Sequence, residues 1–203
     1  MKTINAVSYA TACLILTTAC LACLTPCPVV PDLEDQLTGP VVMVEFPDGS
    51  GGSGTVVGQD LVLTCAHVVW DRDREGLEVD GKPAVMVKVD LINDLALLSV
   101  PGLGIKPALL ADKFPTRRLV KTWSVGFPYL VAEIITEGSV GAAAWVTSPV
   151  APGNSGGGVF VVDRGMARLV GIVQAMACRP GYPPAMHAVK VIPVEKVKEF
   201  LGR

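Results

Sequence analysis

The sequence predicts an all-β protein: two packed six-stranded antiparallel β-barrels, followed by a short C-terminal helix. Three observations predict it. Gly and Pro are frequent, at 21 and 16 of 203 residues, and they cut the chain into short segments. Most of those segments are β-branched apolar runs of strand length, six before Pro101 and six after Arg118. Helical spacing recurs only at the C-terminus, where Val194, Val197 and Leu201 mark one face of Pro193–Leu201.

Composition narrows the function. The formal charge is −2 and the densest basic pair is Arg117-Arg118, so the electrostatic footprint of a nucleic-acid binder is missing. The two histidines are far apart and no Cys-x-x-Cys pair is matched by a second, so neither a zinc site nor any other cofactor is expected.

Residues 1–27 read as a leader. Lys2 precedes a long uncharged segment centred on Ala12-Cys13-Leu14-Ile15-Leu16, the pattern of an export signal. Ala19-Cys20 and Ala22-Cys23 are similar to lipoprotein processing sites, which would lipidate Cys20 or Cys23. Ile4 to Leu24 is also long enough for an uncleaved anchor, at roughly 20 residues. The expected location is the bacterial cell envelope or periplasm. Residues 28–40, rich in proline and acid, read as an exposed linker, with the folded body at 41–203. Of the six cysteines only Cys65 and Cys178 belong to the body; free thiols are favoured over a disulfide, since no loop-closing framework surrounds them.

The first barrel should occupy about 41–100. Val41–Phe46 is a strand, and Pro47-Asp48-Gly49-Ser50-Gly51-Gly52 turns the chain. Ser53–Gly58 and Leu61–Ala66 come next as strands about the Gln59-Asp60 turn. Gly49, Gly51 and Gly54 fit G-x-G-x-x-G, but β-branched Thr55-Val56-Val57 stands where a phosphate-binding loop would open a helix. His67 then stands at a strand end: a satisfied structural residue, or a general base held between core and cleft. Leu77–Asp80 and Lys82–Asp90 are strands about Asp80-Gly81. Asp94 enters the last strand of this half, Leu95–Val100. It either caps its own turn or accepts an imidazole N–H and fixes that tautomer.

The second barrel should span about 119–192, with strands at Leu119–Val125, Val131–Thr136, Ser139–Thr147, Gly157–Val162, Arg168–Met176 and Ala185–Val191. Within it lies Pro152-Gly153-Asn154-Ser155-Gly156-Gly157-Gly158. A glycine-rich hairpin turn would look like this. So would a nucleophilic serine, whose oxygen must stand clear while nearby N–H groups converge on one point. Gly153-Asn154-Ser155-Gly156-Gly157 also fits the G-x-S-x-G elbow of lipases and esterases, yet that fold needs a helix directly after the serine, and an acid then a histidine beyond it.

The order His67, Asp94, Ser155 is that of the chymotrypsin arrangement. The matching stretches are Gly52-Ser53-Gly54-Thr55-Val56-Val57, Leu63-Thr64-Cys65-Ala66-His67-Val68-Val69, Asn93-Asp94-Leu95-Ala96-Leu97-Leu98, Val125-Gly126-Phe127-Pro128, Pro152 to Gly157, and Gly171-Ile172-Val173. With these, the body resembles the trypsin-like serine proteases, most of all the HtrA (Deg) branch. The resemblance implies a chymotrypsin-like pair of barrels with the catalytic residues in the cleft between them. It implies a serine endopeptidase acting on protein or peptide substrates, with His67, Asp94 and Ser155 as the triad. It places the oxyanion hole at Gly153-Asn154-Ser155, through the N–H groups of Gly153 and Ser155. Substrate would bind against Pro149, Val150, Ala151, Gln174, Ala175 and Met176, near Met186-His187. With no acid at the pocket base, a small or medium apolar side chain before the cut is expected. HtrA proteins usually carry a PDZ domain after the protease domain; none is recognisable here, so PDZ gating and chaperone activity are not expected. The competing reading is a protease fold that binds a peptide or partner without turnover.

Overall fold

A computed structural model of the protein describes residues 32–70, 75–178 and 180–203. The expected leader, with the candidate lipidation positions Cys20 and Cys23, lies outside the described residues. Among the described residues no helix is long and apolar enough to cross a membrane.

The body begins earlier than the sequence suggests. Asp32 caps a helix, α1 (Leu33–Thr38), its carboxylate accepting the Leu33 N–H. Leu37 is buried in the core, and the Gln36 side chain accepts from the Ala167 N–H at 3.0 Å. The linker expected at 28–40 therefore ends by residue 32. Its acids and prolines suit an exposed tether, but one buried leucine and one amide dock it.

The first barrel holds β1 (Val41–Glu45), β2 (Gly51–Gly58), β3 (Leu61–Cys65), β4 (Glu78–Val79), β5 (Lys82–Pro83), β6 (Val85–Asp90) and β7 (Leu95–Ser99), with a one-turn helix α2 (Ala66–Val69) after β3. Their order is β5-β4-β1-β2-β3-β7-β6. Seven strands replace the expected six because Pro83, which has no N–H to give a ladder, divides Lys82–Asp90 into two. A strand, not a helix, comes after Gly49 and takes in Gly51.

The second barrel holds β8 (Lys121–Gly126), β9 (Ile134–Ser139), β10 (Trp145–Val146), β11 (Gly158–Asp163), β12 (Met166–Ala177) and β13 (Ala185–Pro193), in the order β10-β13-β12-β11-β8-β9. The expected strand Ser139–Thr147 shrinks to Trp145–Val146, since Ala143 and Ala144 adopt left-handed backbone (φ 48 and 62) and turn the chain. A 3₁₀ turn at Pro128–Leu130 delays β9. The C-terminal helix α3 (Val194–Leu201) buries Val194, Val197 and Phe200 and stops at left-handed Gly202.

A single apolar cluster spans both barrels, joining Val42, Leu63 and Leu98 of the first to Val125, Phe160 and Ile172 of the second. That shared core places one barrel against the other.

Leu37→Ala tests the docking of α1. The expected loss is about 2–3 kcal/mol in denaturant unfolding, against under about 0.5 kcal/mol for Leu33→Ala at a nearby exposed position.

Candidate active site

His67 and Asp94 are brought together by strand register. β3 pairs with β7 so that Cys65 faces Leu95; the residues just after β3 therefore meet those just before β7. Asp94 takes a left-handed conformation (φ 58), which aspartate tolerates better than most residues. The turn points its carboxylate back at α2. Oδ1 accepts the His67 main-chain N–H at 2.9 Å, and the imidazole Nδ1 lies 2.8 Å from Oδ2. A carboxylate can only accept, so the proton sits on Nδ1 and the other ring nitrogen is left as an acceptor. The His67 side chain is 49% exposed and that of Asp94 18%.

A further donor comes from the second barrel. The Gln174 side-chain amide donates to Asp94 Oδ2 at 3.1 Å. Burial pushes the Asp94 carboxyl up, but the hydrogen bonds from the His67 ring and main chain, the imidazole charge and the Gln174 amide together hold it below the usual carboxylate range.

The serine loop is built by its carbonyls. The Pro152 carbonyl accepts from Tyr129 N–H (2.6 Å), that of Ser155 from Ser53 N–H (2.8 Å) and that of Asn154 from Gly157 N–H (2.9 Å). The Gly153 carbonyl accepts from the Ser53 hydroxyl at 2.7 Å. Gly153 can turn because it has φ 98, and any Cβ there would strike the Phe127 carbonyl at 2.4 Å. With the carbonyls committed, the N–H groups of Gly153 and Ser155 remain. Among the described residues neither donates to another main-chain group. Asn154 lies between them. Its N–H is spent on the Ala151 carbonyl, and its Oδ1 accepts from the Ala151 N–H, so it shapes the loop from inside and has no main-chain donor for an oxyanion.

The Ser155 hydroxyl donates to the Gln174 carbonyl at 3.2 Å. Among the described residues it makes no hydrogen bond to His67, although both side chains line one cleft of about 440 Å³. Val150, Ala151, Pro152, Val173, Gln174, Ala175, Met176 and Cys178 complete its lining. Pro149 stands outside the lining, its carbonyl tied to the Thr136 hydroxyl at 2.7 Å. His187 is exposed and also outside it.

Sequence reasoning assigns no role to Ser53, whose hydroxyl accepts from Phe127 N–H at 2.8 Å while donating to Gly153. The run of small residues around it is the one signal that points there. Gly52 stands so close to the serine loop that a Cβ would meet the Ser155 carbonyl at 2.9 Å. Cys65 and Cys178 are both free thiols. Cys65 Sγ, His67 and Asp94 offer ligand atoms within 4.8 Å of one another. Burial first, then the Asp94 charge, pushes the Cys65 thiol well up, and it donates to the Val173 carbonyl.

Two β-barrels with a histidine–carboxylate pair and a serine loop sharing the cleft define a chymotrypsin-fold hydrolase framework. Residues 52–172 match the trypsin-like peptidase domain, and the chain belongs to that family. Among curated relatives, serine protease HTRA2, mitochondrial, of Bos taurus is 30% identical over 76% of this chain and 36% of its own length. Serine protease HTRA1 of Xenopus laevis is 33% identical over 57% of this chain and 26% of its own. The chain thus spans about a third or less of the curated relatives it matches. Among solved structures, the active form of the Rv3671c protease from M. tuberculosis superposes with a TM-score of 0.69 at 22% identity, covering 84% of this chain and 82% of that one. The serine endoprotease from Yersinia pestis gives 0.68 at 20% identity, covering 85% and 66%.

Two outcomes are expected from this geometry. Ser53→Ala removes the tether of the Gly153 carbonyl and should lower kcat about tenfold with little change in KM, read by steady-state assay beside an unchanged circular dichroism spectrum. Asp94, with its folded pKa depressed, contributes stability that is present above its unfolded value of about 4 and is lost as pH falls through the lower folded value. The unfolding free energies of the wild type and Asp94→Asn should therefore differ at neutral pH and converge under acid.

Proposed function

We propose that the protein is an exported serine endopeptidase that cleaves peptide bonds through an acyl-enzyme on Ser155. The observation that carries this reading is the imidazole of His67, paired to Asp94 through Nδ1 at 2.8 Å and sharing a cleft with Ser155. Its free ring nitrogen takes the Ser155 proton as Oγ attacks the substrate carbonyl. Asp94, kept ionised by its donors, stabilises the imidazolium that forms. The oxygen of the tetrahedral intermediate receives the N–H groups of Gly153 and Ser155, each worth roughly 3–4 kcal/mol in comparable sites. His67 then protonates the leaving amine, and water returns along the same path to release the acyl group.

Substrate is an extended peptide. Beyond Val173, β12 keeps β13 on one side, while β11 pairs only as far as Ile172, so Gln174-Ala175-Met176 offers an edge for strand addition. The walls at Val150, Ala151, Ala175 and Met176 are apolar and uncharged, which supports a small or medium apolar side chain before the cut. Export to the cell envelope is read from the apolar leader, and an intact mass of the mature protein reports whether it is removed or lipidated at Cys20 or Cys23.

The full chain should cleave unfolded casein, and both Ser155→Ala and His67→Ala should lower cleavage by several orders of magnitude. Equal behaviour of the wild type and Ser155→Ala would replace the enzyme with a peptide-binding module.

A further inference from the structure

Cys65, His67 and Asp94 converge although their spacing spells no metal motif. Cys65 and His67 flank a single residue where β3 ends, and the register of β3 against β7 brings Asp94 beside them. Sγ of Cys65, a ring nitrogen of His67 and a carboxylate oxygen of Asp94 all lie within 4.8 Å of one another. Tetrahedral zinc holds sulfur, nitrogen and oxygen donors about 3.3–3.6 Å apart, so a small side-chain rotation closes the set. The imidazole is the member with room to rotate, its side chain being 49% exposed. It also opens the way in, because it lines the cleft while Cys65 is fully buried behind it.

The donor types select the metal. Sulfur, nitrogen and oxygen together suit Zn²⁺, whereas hard cations such as Mg²⁺ and Ca²⁺ take oxygen ligands. Charge fits as well. A thiolate, a carboxylate and a neutral imidazole balance a divalent ion, so the loaded set carries no net charge in a place where burial penalises charge. Without metal, burial and the Asp94 charge favour the thiol; a bound cation reverses that preference. The surroundings accept the change. When the Cys65 proton leaves, the Val173 carbonyl loses the thiol but keeps the Gly156 N–H at 2.9 Å, so that acceptor is not orphaned. Asp94 Oδ1 stays oriented by the His67 main-chain N–H, the kind of outer contact that fixes a metal ligand.

We infer that Cys65, His67 and Asp94 form an inhibitory site for Zn²⁺, which binds Sγ, Nδ1 and a carboxylate oxygen and locks the imidazole in the tautomer that cannot act as a base. The inhibition rests on the peptidase reading of the site; the binding does not. Zn²⁺ from solution forms a bond to Cys65 Sγ, and the thiol proton passes to water. Nδ1, which faces Asp94 at 2.8 Å, gives its lone pair to the ion. The ring keeps its one proton, which moves from Nδ1 to Nε2 through water. Nε2 then donates and cannot take the Ser155 proton. Nothing is oxidised or reduced.

The test uses the full-length chain with every cysteine but Cys65 replaced by serine, so that Cys65 is the one thiol left of six. Cd²⁺ stands in for Zn²⁺ in the first measurement, because its bond to a thiolate absorbs in the ultraviolet. One equivalent should develop that band, and Cys65→Ala should abolish it. Nitrogen NMR of the Zn²⁺ form should show His67, the imidazole signal missing from His67→Ala, as the Nε2–H tautomer. Micromolar Zn²⁺ should lower casein cleavage at least about tenfold, a chelator should restore it, and Mg²⁺ should leave it unchanged. Each rate is taken relative to the same variant without metal. Cys65→Ala should need about a hundredfold more Zn²⁺ for equal inhibition. Absence of the thiolate band in the folded single-thiol chain overturns the inference, and that result needs no variant at Cys65. Equal Zn²⁺ sensitivity of Cys65→Ala overturns it too, since the ion would then sit on the outer ring nitrogen. So does binding at Cys65 that leaves an active chain uninhibited. A chain that shows the band and the tautomer but cleaves nothing without metal keeps the site and defeats the peptidase reading instead.

Discussion

The close approach of strand β2 to the serine loop is the constraint on which the rest of the site depends. Two polypeptide segments from different barrels run so near that neither tolerates a side chain at its glycine, Gly52 on one and Gly156 on the other. A Cβ on Gly156 would lie 2.0 Å from the Ser53 carbonyl, and one on Gly52 would meet that of Ser155. At this distance the polar backbone must pair or be left desolvated. The groups at the contact pair. Ser53 N–H reaches the Ser155 carbonyl, the Ser53 hydroxyl that of Gly153, the Thr55 hydroxyl that of Gly156, and Gly156 N–H that of Val173. Ser53, Thr55 and Thr64 are fully buried, yet each hydroxyl has a partner. The seam consumes the carbonyls of the loop and thereby leaves the Gly153 and Ser155 N–H groups uncommitted. In the proposed mechanism these two groups receive the oxyanion.

Electrostatics repeats that logic on the other barrel. Burial alone would favour a neutral Asp94. The hydrogen bonds and charge of His67, with the amide of Gln174, reverse the balance. The same contacts fix the imidazole tautomer, because a carboxylate that accepts at Nδ1 leaves only the opposite nitrogen to accept a proton. Orientation, protonation state and charge thus come from one small cluster held by the register of β3 against β7. Cys65 sits beside it as a neutral thiol, so it adds no charge to the cluster.

Much of this is legible in the chain because its turns are spelled out. Glycine, proline and aspartate mark where strands end, and the β-branched runs between them are too short and too regular for helices. The histidine, aspartate and serine stand at segment ends flanked by small or apolar residues, where a functional or a capping role makes sense. The features that escape have physical causes. The docking of residues 32–38 depends on the tertiary burial of Leu37, which local composition does not encode. Pro83 and the left-handed Ala143-Ala144 pair cut strands whose hydrophobic pattern reads as continuous. The roles of Ser53 and of the Gln174 side chain depend on contacts between residues far apart in the chain. Asn154 reads like its neighbours by position, although the direction of its N–H is set by the turn and not by its place in the motif.

Because His67 and Asp94 stand on one barrel and Ser155 on the other, the packing between barrels sets the geometry on which the proposed reaction depends. Moving a catalytic atom by an ångström is costly, since proton transfer needs heavy atoms about 3 Å apart. The shared cluster of Val42, Leu63 and Leu98 with Val125, Phe160 and Ile172 resists such motion, because close-packed apolar cores do not shear continuously. The polar seam at β2 adds direction that apolar packing lacks. Gln174 closes the circuit, since it lies on the second barrel and bonds to an acid on the first. Fluctuations that open the cleft must stretch that contact, the Ser53 tethers and the apolar cluster together. The site is therefore held from three sides by interactions of different kinds.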